Sequence, residues 1–481
     1  MRRGSSLIAA TLVVVSVVGL VPPAAAAPPV VSGPTVLGTL GSGDESCAVE
    51  INDNGTVLGN SERTVSDPEQ NAFLWSATGG MVDVSAATAS TPAVDLDGNG
   101  TSIAGLVFRT SNGGTVNVQA LIGSNGFPTA MNNSWQIGGY FVDVQAREHA
   151  MVWDPLIGVR DLGFFDGLGA RIIDINESGA AVGSWIDNAD NPHGFFWSAA
   201  TGVVDLPDPM AGTSYDSPEA LNENNEVVGN AGIPTGTAAY VWSQATGIVA
   251  LGHLGGFSSS AFAINERGQV AGRAHNSSHQ LRATIWTAAT GQVDIGRNGT
   301  GVAINDHGQI VGMDVGGTSF VWDSVNGAVT LPGVPGVSGH DWPVTSINNR
   351  GQIVGCAQIA TGTPVRMQAV LWTVSTPVKV RWTASEYTRI QQLMTFYDMD
   401  YNELTKFGVY VLAFINAIAP SPNPTPVVLG PAGNAQTQTI IWQPDEMGVL
   451  EGVKQRWVVN DEDAHRWGFM VLSFIAAIQG F

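Results

Sequence analysis

The sequence predicts an all-β propeller of eight four-stranded blades, with seven the alternative count, followed by a small α+β module of two strand-helix-helix copies. Three observations carry this: a turn signature that recurs every 40 to 46 residues, one tryptophan per period, and a C-terminal segment that aligns on itself at an offset of 60.

In chain order, Met1-Arg2-Arg3 precedes an uncharged apolar run from Leu7 to Val21 and then Ala24-Ala25-Ala26-Ala27. This is the three-part layout of a secretory signal peptide, predicted over residues 1–27. The run is too short to span a bilayer, so a secreted, extracellular chain with no membrane span after signal cleavage is expected. Lys+Arg 20 against Asp+Glu 41 makes the chain strongly acidic. Such a surface keeps an exported protein soluble and repels phosphate backbones, which excludes nucleic acid as the expected partner. With two cysteines, Cys47 and Cys356, the chain is no disulfide scaffold; stability must come from burial.

The propeller is expected over residues 30–375. Its repeat is fully developed in Ala303-Ile304-Asn305-Asp306-His307-Gly308-Gln309-Ile310-Val311-Gly312, followed by Phe320-Val321-Trp322. It reads as strand, tight turn, strand, short loop, strand. Asn305 opens the turn and Gly308 supplies the left-handed backbone that closes a hairpin. Gly312 lets a neighbouring backbone come close. The signature recurs at Asn52, Asn176, Asn222, Asn265 and Asn348. Two copies are degenerate: Asn132 is followed by Trp135 where the turn glycine should be, and the copy at Asp97 carries an extra residue. From Asn132 onward the asparagines lie 44, 46, 43, 40 and 43 residues apart. Such a period signals a propeller or a solenoid, and solenoid rungs are usually shorter.

The third strand ends in Trp75, Trp153, Trp197, Trp242, Trp286, Trp322 or Trp372, and a fourth follows in most copies, as at Val203 to Leu206. After Trp372 the fourth strand is replaced by Thr376-Pro377. The segment Val36-Leu37-Gly38-Thr39-Leu40-Gly41 matches Ala250-Leu251-Gly252-His253-Leu254-Gly255 with no blade before it. It is therefore expected to complete the last blade and leave no open edge. Closure would bring Cys47 and Cys356 to one face in adjacent blades, where a disulfide is one reading and two free thiols the other. The repeats resemble the extracellular family known by the letters HAF, through Ala72-Phe73-Leu74-Trp75 and the Ile-Asn-x-x-Gly turn. That resemblance implies a secreted, propeller-like array with no assigned chemistry and brings no catalytic residues.

Composition shifts after Pro377, and Lys379, Lys406 and Lys454 all lie beyond it. Residues 376–481 form the predicted module, its copies at 376–419 and 438–481 joined by a Pro-rich linker, 420–437. Trp382 matches Trp442, Glu386 matches Glu446, Gly408 matches Gly468 and Phe414 matches Phe474. Thr383 with Glu386, and Asp400 with Glu403, cap the helices of the first copy, and Pro444 opens a helix in the second. The second helix bears Phe407, Val411, Phe414 and Ile418 at helical spacing. The layout resembles the ribbon-helix-helix fold, with Val380-Arg381-Trp382 as ribbon; that family reads DNA with outward ribbon residues. Here those are Lys379 and Arg381 in one copy but Thr439 and Ile441 in the other. A pseudo-dimeric docking or structural unit is expected instead.

Candidate ligand-binding residues are Asp187, Asp190, His340, Asp341 and Trp342, which fall in loops between strands, together with Trp185; Trp185 and Trp342 lie outside the repeated tryptophan position and are the aromatic residues most free to contact a ligand. Asp95, Asp97 and Asn99 resemble the opening of a calcium loop, although Leu106 stands where an acid would complete it; otherwise no cofactor is expected. His275 and His279 lie four apart with no further zinc ligand in view. The expected function is non-enzymatic binding of an extracellular glycan or protein by a monomer. One alternative is a glycan-acting propeller hydrolase using inner-strand acids such as Glu50 or Asp174; another is a purely structural surface protein.

Overall fold

Each asparagine of the repeated turn serves two hairpins at once. Asn305 Oδ1 accepts from His307 N (3.1 Å) and Gln309 N (3.0 Å), holding its own turn, while Nδ2 donates to Asn348 O of the next copy (3.0 Å). The computed structural model that shows this describes residues 30–64, 70–85, 92–165, 167–207, 216–337, 343–359, 366–382, 384–418, 436–457, 459 and 461–478. The expected signal peptide, Thr383 and nearly all of the linker lie outside these residues. The described residues form two compact units, 28–377 and the remainder from Val378, save that Ile441–Gly448 group with the first.

In the first unit the strands form successive four-stranded antiparallel arrays over 46–83, 93–117, 126–163, 169–205, 216–250, 255–294 and 299–330. The arrays over 126–163 and 169–205 share one parallel bridge, Glu148 to Gly169. Strands Val344–Ile347, Gln352–Gln358 and Met367–Trp382 make a further sheet, and its missing strand is Val30–Gly38 from the other end of the unit. Val36 pairs with Val370 and Ser32 with Thr373, so the first strand lies against the strand holding Trp372. The degenerate copy at Asp97 has four strands of its own and no tryptophan, and a single-turn helix, α1 (Gln119–Ile122), follows it. The strand holding Trp372 continues through Thr376-Pro377 to Trp382.

The first strands of neighbouring arrays touch all the way round, the last against the first. The asparagine relay follows them. Asn132 donates to Asn176 O (2.8 Å), Asn176 to Asn222 O (3.0 Å), Asn222 to Asn265 O (3.1 Å) and Asn265 to Asn305 O (2.9 Å). Asn348 closes onto Asn52 O (2.8 Å) and Asn52 continues to Asp97 O (2.9 Å). Asp97 holds its own turn through Oδ1, but Oδ2 is buried with no hydrogen bond and cannot donate onward. Asp97→Asn supplies the missing donor. We expect it to raise the unfolding free energy by roughly 1 kcal/mol, read as a higher urea midpoint at unchanged slope; a lower midpoint would show that the acid is required there.

Every first strand carries a β-bulge two residues before the turn asparagine position, as between Ala48 and Glu50 or Gly301 and Ala303. The bulge pushes a carbonyl toward the second strand. A Cβ on Gly312 would lie 2.1 Å from Thr300 O and 2.7 Å from the Phe320 ring; one on Gly59 would meet Cys47 O and Phe73 in the same way. The second glycine therefore accommodates a bulged carbonyl and an aromatic ring from the third strand. Gly308 has φ +77°, whereas Trp135 and Asn225 adopt φ 64° and 60° at the equivalent position without being glycine. The core is shared between arrays: Val182 and Phe196 pack with Leu221, Val227, Tyr240 and Trp242 of the next.

Cys47 and Cys356 form a disulfide across the seam between the first and last arrays, with Cα atoms 4.9 Å apart. Thr345 Oγ1 donates to Ala48 O (3.1 Å), Ala369 N to Ser46 Oγ (2.9 Å), and Arg366 pairs with Asp44 (2.9 Å).

In the second unit, α2 (Ala384–Tyr397) and α3 (Tyr401–Ile418) are followed by strand Gln436–Trp442, α4 (Pro444–Trp457) and α5 (Asp461–Ile478), and that strand pairs with Met367–Trp382. Asp400 and Glu403 exchange hydrogen bonds as a capping box (2.9 and 2.8 Å). α3 and α5 cross at Gly408 and Gly468, where an added Cβ would lie 2.8 and 2.5 Å from the partner backbone. That crossing puts Leu404, Gly408, Val409 and Leu412 on the buried face and leaves Phe414 64% and Phe474 68% exposed. Arg381, an expected ribbon residue, pairs with Glu462 (2.9 Å). Among the described residues no helix is long and apolar enough to cross a membrane.

Candidate functional site

The ring offers two places for chemistry, its lining and its loop face. At the residue before Ile-Asn the first strands carry Glu50, Asp95, Ala130, Asp174, Ala220, Ala263, Ala303 and Ser346. The three acids each accept a main-chain N–H from the first strand of the next array. Leu96 N donates to Glu50 Oε2 (3.2 Å), Met131 N to Asp95 Oδ2 (2.5 Å) and Leu221 N to Asp174 Oδ2 (2.9 Å). Burial raises all three carboxyls above their ordinary range. Glu50 is raised further by Asp95, with which it shares a hydrogen bond, and by Asp174; Asp95 is pushed up to about 6.

Contact between Glu50 and Asp95 leaves no room for a glycosidic bond between them, since paired glycosidase carboxyls stand at least about 5 Å apart. Their geometry is that of strand-to-strand ties. The raised values also set a sign. The folded state retains protons that the unfolded chain releases above about pH 4, so this contribution to stability is present below that pH and lost as the pH rises through about 6. The melting temperature of the native chain should fall more between pH 4 and pH 7 than that of the Glu50→Gln, Asp95→Asn double variant; equal slopes would refute the assignment.

Antiparallel order puts the Asn-x-x-Gly turns and the turns after each tryptophan on one face. The opposite face receives the second-to-third-strand loops and the connections between arrays. Those connections run from residues 251–254 in one place to residues 331–343 in another, whereas the turn face is held uniform by the relay.

Trp185 is a strand residue. It lies on strand Ala181–Ile186, half-buried, stacked on His193 (4.5 Å) and Phe165 (5.8 Å), with Nε1 buried and unbonded. Asp187 opens the following turn, accepting from Ala189 N (2.8 Å) and Asn191 N (2.9 Å) through Oδ1 and facing His193 Nε2 (3.3 Å) through Oδ2. The N–H and side-chain amide of Asn191 hold its carboxyl well below the usual range. Asp190 is exposed at φ 68° and is the freest of the three. The preceding array repeats the arrangement: His149 sits between Asp143 (3.2 Å) and Asp161 (3.1 Å) and packs on Phe141 and Phe164. Spacing could have exposed this doubling, because Phe141, Asp143 and His149 precede Trp185, Asp187 and His193 by 44 residues each.

His340, Asp341 and Trp342 lie outside the described residues. The calcium set does not converge: Asp95 turns to Met131, Asp97 to its own turn, and Asn99 contributes its main-chain N–H. Among the described residues, no group of three His, Cys, Asp or Glu is placed to hold a metal ion. His275 and His279 do not share a ligand either; they flank the Phe257 ring, at 4.2 and 5.5 Å.

No protein-family model and no curated protein sequence matches the chain. Among solved structures it is similar to a puromycin hydrolase at 13% identity and a TM-score of 0.40, over 68% of this chain and 51% of that one. The chain thus spans about half the length of that enzyme. It is also similar to the WD40 β-propeller domain of Doa1 (12% identity, TM-score 0.36, 71% and 97% coverage). The propeller domain of the Trilobed protease from Pyrococcus furiosus gives 9%, 0.37, 72% and 94%.

Proposed function

We propose that the chain is an exported, eight-bladed propeller of HAF-like repeats that binds an extracellular glycan or protein through its loop face, without catalysis, and carries a C-terminal docking module. One observation carries the reading: the two faces are built differently. The turn face is tied from array to array by the asparagine relay at every step but the one beyond Asp97, which leaves it little freedom to vary. The other face carries connections of unequal length and two aromatic-histidine pairs, Trp185 stacked on His193 and Phe141 tilted against His149. Scaffold-held loops are where binding residues concentrate, and flat aromatic rings beside hydrogen-bonding groups suit sugar faces and peptide side chains.

The test is a glycan array and an extracellular-matrix pull-down with the mature chain, alongside His193→Ala and Asp190→Ala. Binding weakened about tenfold by His193→Ala, at unchanged melting temperature, is the expected result, since that loss corresponds to about 1.4 kcal/mol. No binding on either platform would favour the purely structural alternative. Glycan turnover abolished by Glu50→Gln would favour the hydrolase.

A further inference from the structure

Between the arrays over 216–250 and 255–294 the loop face contains a cavity of about 210 Å³, lined by Thr237, Ser258, Ser259, Ser260, Arg273 and His275 with two apolar side chains. It is smaller than the roughly 300–1,000 Å³ of pockets that take drug-sized ligands. Several of its lining groups keep a donor to spare. Ser259 Oγ accepts from Ala239 N (3.1 Å), so its own proton is uncommitted. Thr237 Oγ1 donates to Ser259 O (2.9 Å), which makes Ser260 the donor in their 3.1 Å contact. Ser258 Oγ and His275 Nδ1 lie 2.9 Å apart and share one proton; with the imidazole neutral, either tautomer leaves the pair one further donor. His275 is held flat against Phe257 (4.2 Å).

Arg273 lies over the Phe262 ring (5.2 Å) and has no carboxylate partner among the described residues. By contrast Arg63, Arg147, Arg171, Arg282 and Arg297 each pair with a carboxylate. In a chain of net charge -21, this cavity has a guanidinium, an imidazole and spare hydroxyl protons, and no carboxylate lines it. Donors converge from strands Gly255–Ile264 and Val270–Asn276, which suits a ligand that accepts in several directions.

We propose that this cavity binds a tetrahedral oxyanion, a sulfate or phosphate group, either as the free ion or as an ester on a sugar. The proposal rests on the loop-face reading for its setting and adds the ligand class. Arg273 supplies the charge-assisted fork, and Ser259 with the Ser258–His275 pair supplies the remaining donors.

Calorimetric titration of the mature chain with sodium phosphate, sodium sulfate, a monosaccharide phosphate and a monosaccharide sulfate, at constant ionic strength, tests this. Saturable binding of at least one is expected, weakened tenfold or more by Arg273→Gln and a few-fold by Ser259→Ala. If Arg273→Gln lowers the melting temperature, Arg273→Lys, which keeps the charge but not the fork, should still bind several-fold more weakly than the native chain. Equal affinity for ion and ester would identify the free ion as ligand, and a tighter ester would identify the saccharide. No saturable heat with any of the four, or undiminished binding in Arg273→Gln, overturns the proposal. A chain that titrates with phosphate through Arg273 but binds nothing on the array keeps this site and loses the glycan reading. The reverse pattern keeps the glycan reading and loses this site.

Discussion

Cys47→Ser should lower the denaturation midpoint more than any other single polar substitution in the ring. The disulfide spans 309 residues, and cross-linking so long a segment removes denatured-state entropy worth roughly 5 kcal/mol on the chain-entropy account. Reducing agent should destabilise the native protein by a similar amount and leave the variant unchanged. The other seam contacts, Asn348 to Asn52 and Thr345 to Ala48, remain in the variant, so it should fold. Two titratable thiols in the unfolded, unreduced native chain would refute the bond.

Trp372→Ala should be the costliest change in the core. Trp372 is fully buried among Val311, Leu331, Ile353 and Val374, with Val31 of the closing strand packed against that cluster. Its Nε1 donates to Pro332 O (2.8 Å). Truncating it opens a cavity where two arrays and the N-terminal strand meet, and it leaves the part-buried Pro332 carbonyl without this partner. The expected loss is about 3–5 kcal/mol by denaturant titration. Trp75, at the equivalent position but half-buried, is the control. A Trp372→Ala cost no larger than that of Trp75→Ala would mean that the closing strand does not contribute to the core.

Much of the ring was legible because its determinants are local. Gly308 is required by a left-handed turn, alternation marks the strands, and a tryptophan every period marks the third strand. The closing strand was legible because Val36 to Gly41 is a fourth strand without a blade. What stayed hidden depends on contacts between copies. Nothing local says that Asn305 reaches Asn348, that a bulged Thr300 carbonyl occupies the space beside Gly312, or that Glu50 and Asp95 meet. Trp185 stood out because it breaks the tryptophan period, but that says nothing of its ring partners, which come from another strand and a connection. The spacing of Phe407, Val411 and Phe414 marks an apolar set on α3, whereas the close crossing at Gly408 and Gly468 decides what is covered. The binding cavity was half visible. His275 stood out by its spacing to His279, but its partner Ser258 belongs to a different strand.

The pairing of Ser32 with Thr373, 341 positions apart, has a kinetic consequence. The strand that emerges first from the ribosome is among the last to find its place, because its partner is synthesised only after every intervening hairpin. Until then both margins of the growing array are bare and able to recruit strands from other molecules. Hairpins can form as they appear, whereas the final join should be a late, slow step, sensitive to anything that occupies the leading segment meanwhile.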